Sequence, residues 1–137
     1  MLPRFERIAA VVKLLFCLRR LPHLSREEFQ RYWRERHAPL VASHAQALGI
    51  RRYVQRHTID EPLFARMGEP RGGLAPYDGV AELWWERLQQ RDAAGIEAAR
   101  RANRELLEDE ARFIDLPNSP VFFVDDHEVI PFTPGQA

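Results

Sequence analysis

The sequence predicts an α+β sandwich in which one antiparallel sheet of four strands carries two helices on a single face. Three observations predict it. Four short runs have the length and residue types of strands: Val12 to Leu18, Ile50 to Thr58, Asp78 to Trp85 and Val121 to Asp125. Two longer segments, one after the first run and one after the third, repeat apolar residues at spacings of three and four, the period of a helix. The 137 residues suffice for one hydrophobic core but not for two. The order is therefore βαββαβ in a single domain spanning 1–137, with a core of about 12–130 and extensions at 1–11 and 131–137.

Val12 to Leu18 is apolar almost throughout and ends at Arg19-Arg20, as a strand covered on both faces would. Pro22-His23 turns the chain, and Ser25-Arg26-Glu27-Glu28 is a capping box, in which serine and glutamate satisfy each other's backbone amides. The helix that follows places Phe29, Trp33, His37, Leu40 and His44 on one face and stops at Gly49. Pro39 lies inside it. An interior proline removes a backbone hydrogen bond at a cost of about 3 kcal/mol, so the helix should kink or restart beside His37.

In the second strand Ile50, Arg52 and Val54 point one way, and Arg51, Tyr53, Gln55 and His57 the other. Residues 59–76 carry Pro62, Gly68, Pro70, Gly72, Gly73 and Pro76 and read as a long loop, either a lid or a disordered segment. The third strand sets Asp78, Val80, Glu82 and Trp84 on one face and Gly79, Ala81, Leu83 and Trp85 on the other. Gly95 to Asp115 is the second helix, with Ile96, Ala99, Ala102, Leu106, Glu110 and Phe113 on one stripe. Pro117-Asn118-Ser119-Pro120 then turns into the last strand. The complete order is that of a ferredoxin-like sandwich. Its first and third strands look apolar on both sides, so the sheet face away from the helices needs a cover, and a second copy of the chain about a two-fold axis is the economical one.

Twenty basic and twenty acidic side chains cancel, so no global field draws the chain to nucleic acid or to anionic lipid. Nineteen of the basic residues are Arg, but they are scattered rather than clustered. The lone cysteine, Cys17, sits in an apolar run and reads as buried core rather than as a nucleophile; it fits a reducing compartment. The apolar stretch Ile8 to Val12 is too short to span a bilayer and no cleavage site follows it, so the expected location is the cytoplasm. His37 and His44 lie seven apart across Pro39, and neither a tight histidine pair nor a glycine-rich phosphate loop is present. No metal or cofactor is expected.

The chemistry points to His37. It lies between Trp33 and Leu40 on the stripe that must pack on the sheet, where Pro39 would fix its angle. Tyr53, Gln55 and His57 make one polar row and Asp78 and Glu82 another; if both rows face the helices they converge beneath His37. On this reading His37, Tyr53 and His57 are the catalytic candidates, with Trp33, Gln55, Asp78, Glu82 and Trp84 binding the substrate. Each also has a structural alternative: His37 as a satisfied core histidine, Tyr53 as a strand aromatic, Glu82 as a cross-strand partner of Arg51 or Arg52, the tryptophans as core.

The sequence resembles the EthD (ethyl tert-butyl ether degradation) family of dimeric α/β-barrel proteins. The resemblance runs from about Val12 to Ile130 and rests on Lys13-Leu14-Leu15-Phe16, on Phe29-x-x-Tyr32-Trp33-x-x-x-His37-Ala38-Pro39-Leu40-Val41, on Tyr77-Asp78-Gly79-Val80-Ala81-Glu82-Leu83-Trp84, and on Phe113-Ile114-Asp115-Leu116. It implies a homodimer with a ligand cavity between sheet and helices, and a cofactor-independent lyase or isomerase acting on a small aromatic, phenolic or polyketide-like substrate. The alternative is an accessory protein that binds such a molecule without converting it. In the isomerase relatives a histidine matching His37 and a tyrosine matching Tyr53 line the cavity, with a second histidine in the loop after the second strand. This sequence has no histidine between Thr58 and Asp126, and His57 is the nearest substitute.

Overall fold

Strand β1 (Val11–Leu18) runs through the middle of the sheet, paired with β3 (Gly79–Glu86) on one side and β4 (Val121–Val124) on the other; β2 (Ile50–His57) completes the order β2-β3-β1-β4. All pairs are antiparallel, as the βαββαβ order requires. This computed structural model describes residues 11–86 and 89–135, so most of the N-terminal extension expected at 1–11 and the end of 131–137 lie outside the described residues.

The first helical segment starts where the capping box puts it. Ser25 Oγ accepts from the Glu28 amide at 3.0 Å, and Glu28 Oε1 accepts from the Ser25 amide at 3.2 Å. Helix α1 (Arg26–Tyr32) then passes into a π-turn at Trp33–His37 and resumes as α2 (Ala38–Leu48). The expected break at Pro39 thus takes the form of one widened turn. Proline offers no amide to the Glu35 carbonyl and its ring crowds that turn; widening relieves the clash, and the Ala38 amide reaches back to the Trp33 carbonyl. Gly49 ends α2 in the left-handed conformation at φ 71°.

Helix α3 (Ala93–Glu110) starts earlier and ends earlier than its periodicity suggested, because Asp92 caps it by accepting from the Gly95 amide at 2.7 Å. The long segment after β2 is not featureless: it holds a helical turn at Pro62–Ala65 and a 3₁₀ turn at Arg66–Arg71, both exposed.

The core forms where the helices meet the sheet, around Leu18, Phe29, Trp33, Ala81, Phe113 and Ile114. Phe29 stacks at a tilt on both Trp33 (5.8 Å) and Phe113 (5.4 Å), a favourable arrangement of ring quadrupoles. Gly79 is what lets Trp33 lie flat on β3: a Cβ there would stand 2.4 Å from the indole ring.

Two strand expectations change. A bulge at Arg51 pairs Ile50 with Trp85 and Arg52 with Trp84, so Ile50 joins the helix side instead of sharing a face with Arg52. The outer face of the sheet is also less apolar than the sequence suggested. Leu15, Val54, Val80 and Phe122 lie there beside a charged group in which Lys13 and Arg52 stand over the Trp84 ring at 4.2 and 4.8 Å.

Candidate active site

The π-turn brings Trp33 and His37 to the inner face, 1 % and 6 % exposed. Asp109, in the last turn of α3 and also 6 % exposed, accepts from three donors. Tyr32 Oη lies 2.6 Å away, His37 Nδ1 2.8 Å and Arg112 Nη1 3.1 Å. Burial alone would raise the Asp109 pKa, but these donors outweigh it and hold the carboxyl below its ordinary value. An ionised carboxylate only accepts, so His37 carries its proton on Nδ1. Burial lowers the His37 pKa more than Asp109 raises it, and the ring is neutral at pH 7. Its ring packs on Phe113 at 5.1 Å.

Tyr53, Gln55 and His57 share one face, as the alternation of β2 required, and that face is the one turned to the helices. They are joined to each other and to the π-turn. Gln55 Nε2 donates to Tyr53 Oη (2.9 Å) and to the Trp33 carbonyl (3.0 Å), while His57 Nε2 donates to Gln55 Oε1 at 2.9 Å. His57 also lies on the Trp33 ring, 4.6 Å between centroids. Burial raises the Tyr53 pKa and lowers that of His57.

The second polar row does not join this group. Glu82 and Trp84 alternate with Ala81 and Leu83, which pack on the core, and so point away from the helices. Glu82 pairs with Arg52 (3.3 Å) and Arg56 (3.4 Å) on the outer face. Asp78 is buried but engaged: it accepts from the Arg20 amide at 2.8 Å, from the Arg20 guanidinium and from Arg26 Nε at 3.0 Å. The expected convergence beneath His37 therefore does not form: Tyr53, Gln55 and His57 gather on Trp33, while His37 turns to Asp109 and Phe113.

A cavity of about 640 Å³ lies elsewhere on the same side of the sheet, between the strands and α3. Leu14, Phe16, Leu83 and Trp85 form its floor, with Leu106 above. None of the residues picked from the sequence lines it. Glu110 does, and the sequence had already set this glutamate on the apolar stripe of the second helix without assigning it a role. Among the described residues its carboxyl finds no hydrogen-bond or ion-pair partner. Burial, and then the neighbouring Asp109 charge, push its pKa up from 4.5 to about 7. Tyr53 lies within the field of this carboxylate, so the polar row on β2 and the cavity acid are electrostatically linked. Asp109, three residues after Leu106 and four before Phe113, shares that face as well but was passed over in the sequence.

An α+β sandwich with a four-stranded antiparallel sheet and a cavity under its helices is the class defined by this fold and site. The model of the EthD domain matches residues 21–117, and the chain belongs to that family. Among the curated proteins compared, none matches the chain. Two solved structures share the fold. An EthD-like protein from Ralstonia eutropha JMP134 is 13 % identical, with 90 % of this chain and 96 % of that one covered and a TM-score of 0.50. A hypothetical protein from Arabidopsis thaliana is 14 % identical, with 89 % and 93 % covered and a TM-score of 0.51. Among the described residues no helix is long and apolar enough to cross a membrane.

The raised Glu110 pKa has a thermodynamic consequence. The folded chain holds this proton more tightly than the unfolded one, so the stabilisation is complete below pH 4.5 and is lost as the pH rises through about 7. The unfolding free energy of wild type minus that of Glu110→Gln, from urea titrations, is expected to fall by roughly 2–3 kcal/mol between pH 4.5 and 7.5. His37 tilts the absolute curves the opposite way in the acid half of that range, but it is common to both proteins and cancels in the difference. A flat difference contradicts the assignment.

Proposed function

We propose that the protein is a cofactor-independent lyase or isomerase that moves a proton on a small aromatic, phenolic or polyketide-like substrate, with Glu110 as its acid and base. One observation carries this reading: an uncompensated carboxyl, with a pKa near 7, in the wall of an otherwise largely apolar cavity. Such a group is ionised in about half of the molecules at neutral pH, the condition for efficient proton transfer in both directions. The ionised Glu110 takes a proton from carbon next to a carbonyl, leaving an enolate. The neutral carboxyl, whose proton exchanges with solvent, then returns a proton to the enolate, at the same carbon or at another atom of the substrate, and the residue ends as it began. His37 is given a structural part in this reading: its hydrogen bond to Asp109 ties the π-turn to the end of α3.

Deuterium uptake tests the reading. Incubated in D₂O with a panel of phenolic ketones and unsaturated lactones, the wild-type protein is expected to exchange the acidic C–H of at least one of them, followed by proton NMR. Glu110→Gln should lower that rate about 100-fold or more, whereas His37→Gln should lower the melting temperature and leave the rate of the folded protein within a few-fold. Undiminished exchange in Glu110→Gln rules out the role given to this residue, and no exchange with any compound favours a binding protein.

We also propose that the outer sheet face pairs with a second copy. Its half-exposed Leu15, Val54, Val80 and Trp84 support this. Light scattering at micromolar concentration should return twice the chain mass; a monomer mass contradicts the pairing.

A further inference from the structure

The wall of the cavity holds one cation and one acid among its described residues, Arg91 and Glu110. They stand at opposite ends of α3, Arg91 just before its first turn and Glu110 closing its last. Of the α3 residues, Asn103, Leu106, Leu107 and Glu110 border the cavity, about 10 Å of helix, and Arg91 stands on the wall nearer the other end of the helix, so the cavity is longer than it is wide.

Arg91 is exposed, yet it is held in place. Its guanidinium donates to Gln89 Oε1, and Gln89 is itself braced, with Nε2 donating to the Leu48 carbonyl at 3.0 Å and to the Glu86 carbonyl at 3.1 Å. This brace exists because residue 49 is glycine: a Cβ on Gly49 would lie 2.2 Å from Gln89 Oε1. The end of α2, the end of β3 and the approach to α3 are thus tied through one glutamine that presents Arg91 at the rim. No carboxylate pairs with Arg91 among the described residues. A fixed guanidinium fork without a counter-ion, opening on apolar walls, is suited to an organic carboxylate.

We infer that the cavity takes an elongated organic carboxylate, its charge on Arg91 and its apolar body laid between the sheet and α3 with the far end toward Glu110. This inference rests on the reading of the cavity as a substrate site and adds which end of the substrate is held and by what. The anchor is remote from the proton-transferring group, so it orients the substrate without taking part in the chemistry.

Isothermal titration with three probes tests it. 6-Phenylhexanoate has the charge and the length, 6-phenylhexanamide the length alone, and benzoate the charge alone. The wild-type protein should bind 6-phenylhexanoate about tenfold more tightly than either of the others. Arg91→Met, a change at an exposed position, should abolish the preference for the carboxylate over the amide while leaving the amide affinity within twofold. Equal affinity of wild type for 6-phenylhexanoate and its amide overturns the anion anchor and leaves the cavity reading intact. A preference that survives Arg91→Met overturns the role of Arg91, and benzoate binding as tightly as 6-phenylhexanoate overturns the elongated shape. If no probe binds, the cavity reading and this inference fail together.

Discussion

Asp109 is where the two helical segments that cover the sheet are joined. Its carboxylate collects Tyr32 from α1, His37 from the π-turn and Arg112 from the chain beyond α3. Charge-assisted hydrogen bonds in a buried setting are strong, and loss of the acceptor would leave several donors unsatisfied at once. The junction therefore fixes both the angle at which the His37 turn lies over the core and the place where α3 ends. The widened turn at Pro39 is part of the same arrangement. It frees the Trp33 carbonyl to accept from Gln55 as well as from Ala38, so β2, the π-turn and α3 form one connected polar layer above an aromatic core.

Two adjacent acids end α3 in opposite states, for reasons of environment alone. Asp109 has three donors and stays charged; Glu110 has burial, no donor among the described residues and a charged neighbour, and is held near neutrality. The pair illustrates how environment separates two neighbouring carboxyls: the one with donors is held charged, and the one without is held partly protonated at neutral pH. Stability is given up at Glu110 as the pH rises from 4.5 through about 7.

Much of the fold was legible in the sequence. The capping box at Ser25, the stop at Gly49 and the βαββαβ order of elements along the chain follow from local rules that tertiary structure did not override. The difficulty at Pro39 was also visible, though its solution as a π-turn was not. What failed was the choice of face. Alternation along β3 separated Glu82 and Trp84 from Ala81 and Leu83 correctly, but alternation cannot say which set is inside. Packing decides it: the close approach of Trp33 at Gly79 turns Ala81 and Leu83 inward, and Trp84 finds Lys13 and Arg52 on the other side. The bulge at Arg51 leaves no local signature either. In the site, the polar row on β2 was readable, while Asp109, at the edge of the same stripe of α3, was overlooked because an aspartate near a helix end reads as solvated. Glu110 was in view throughout. A carboxylate on an apolar stripe is the most informative residue of such a helix, and its weight becomes plain only once the stripe is seen to border a cavity.

The division between Asp109 and Glu110 is the centre of this account, and carbon-detected NMR titration of the side-chain carboxyls reads both directly. The expected result is a Glu110 resonance titrating near pH 7 and an Asp109 resonance titrating below 3.8, each absent from the corresponding amide variant. A Glu110 carboxyl that titrates near 4.5 in the folded protein would contradict the account.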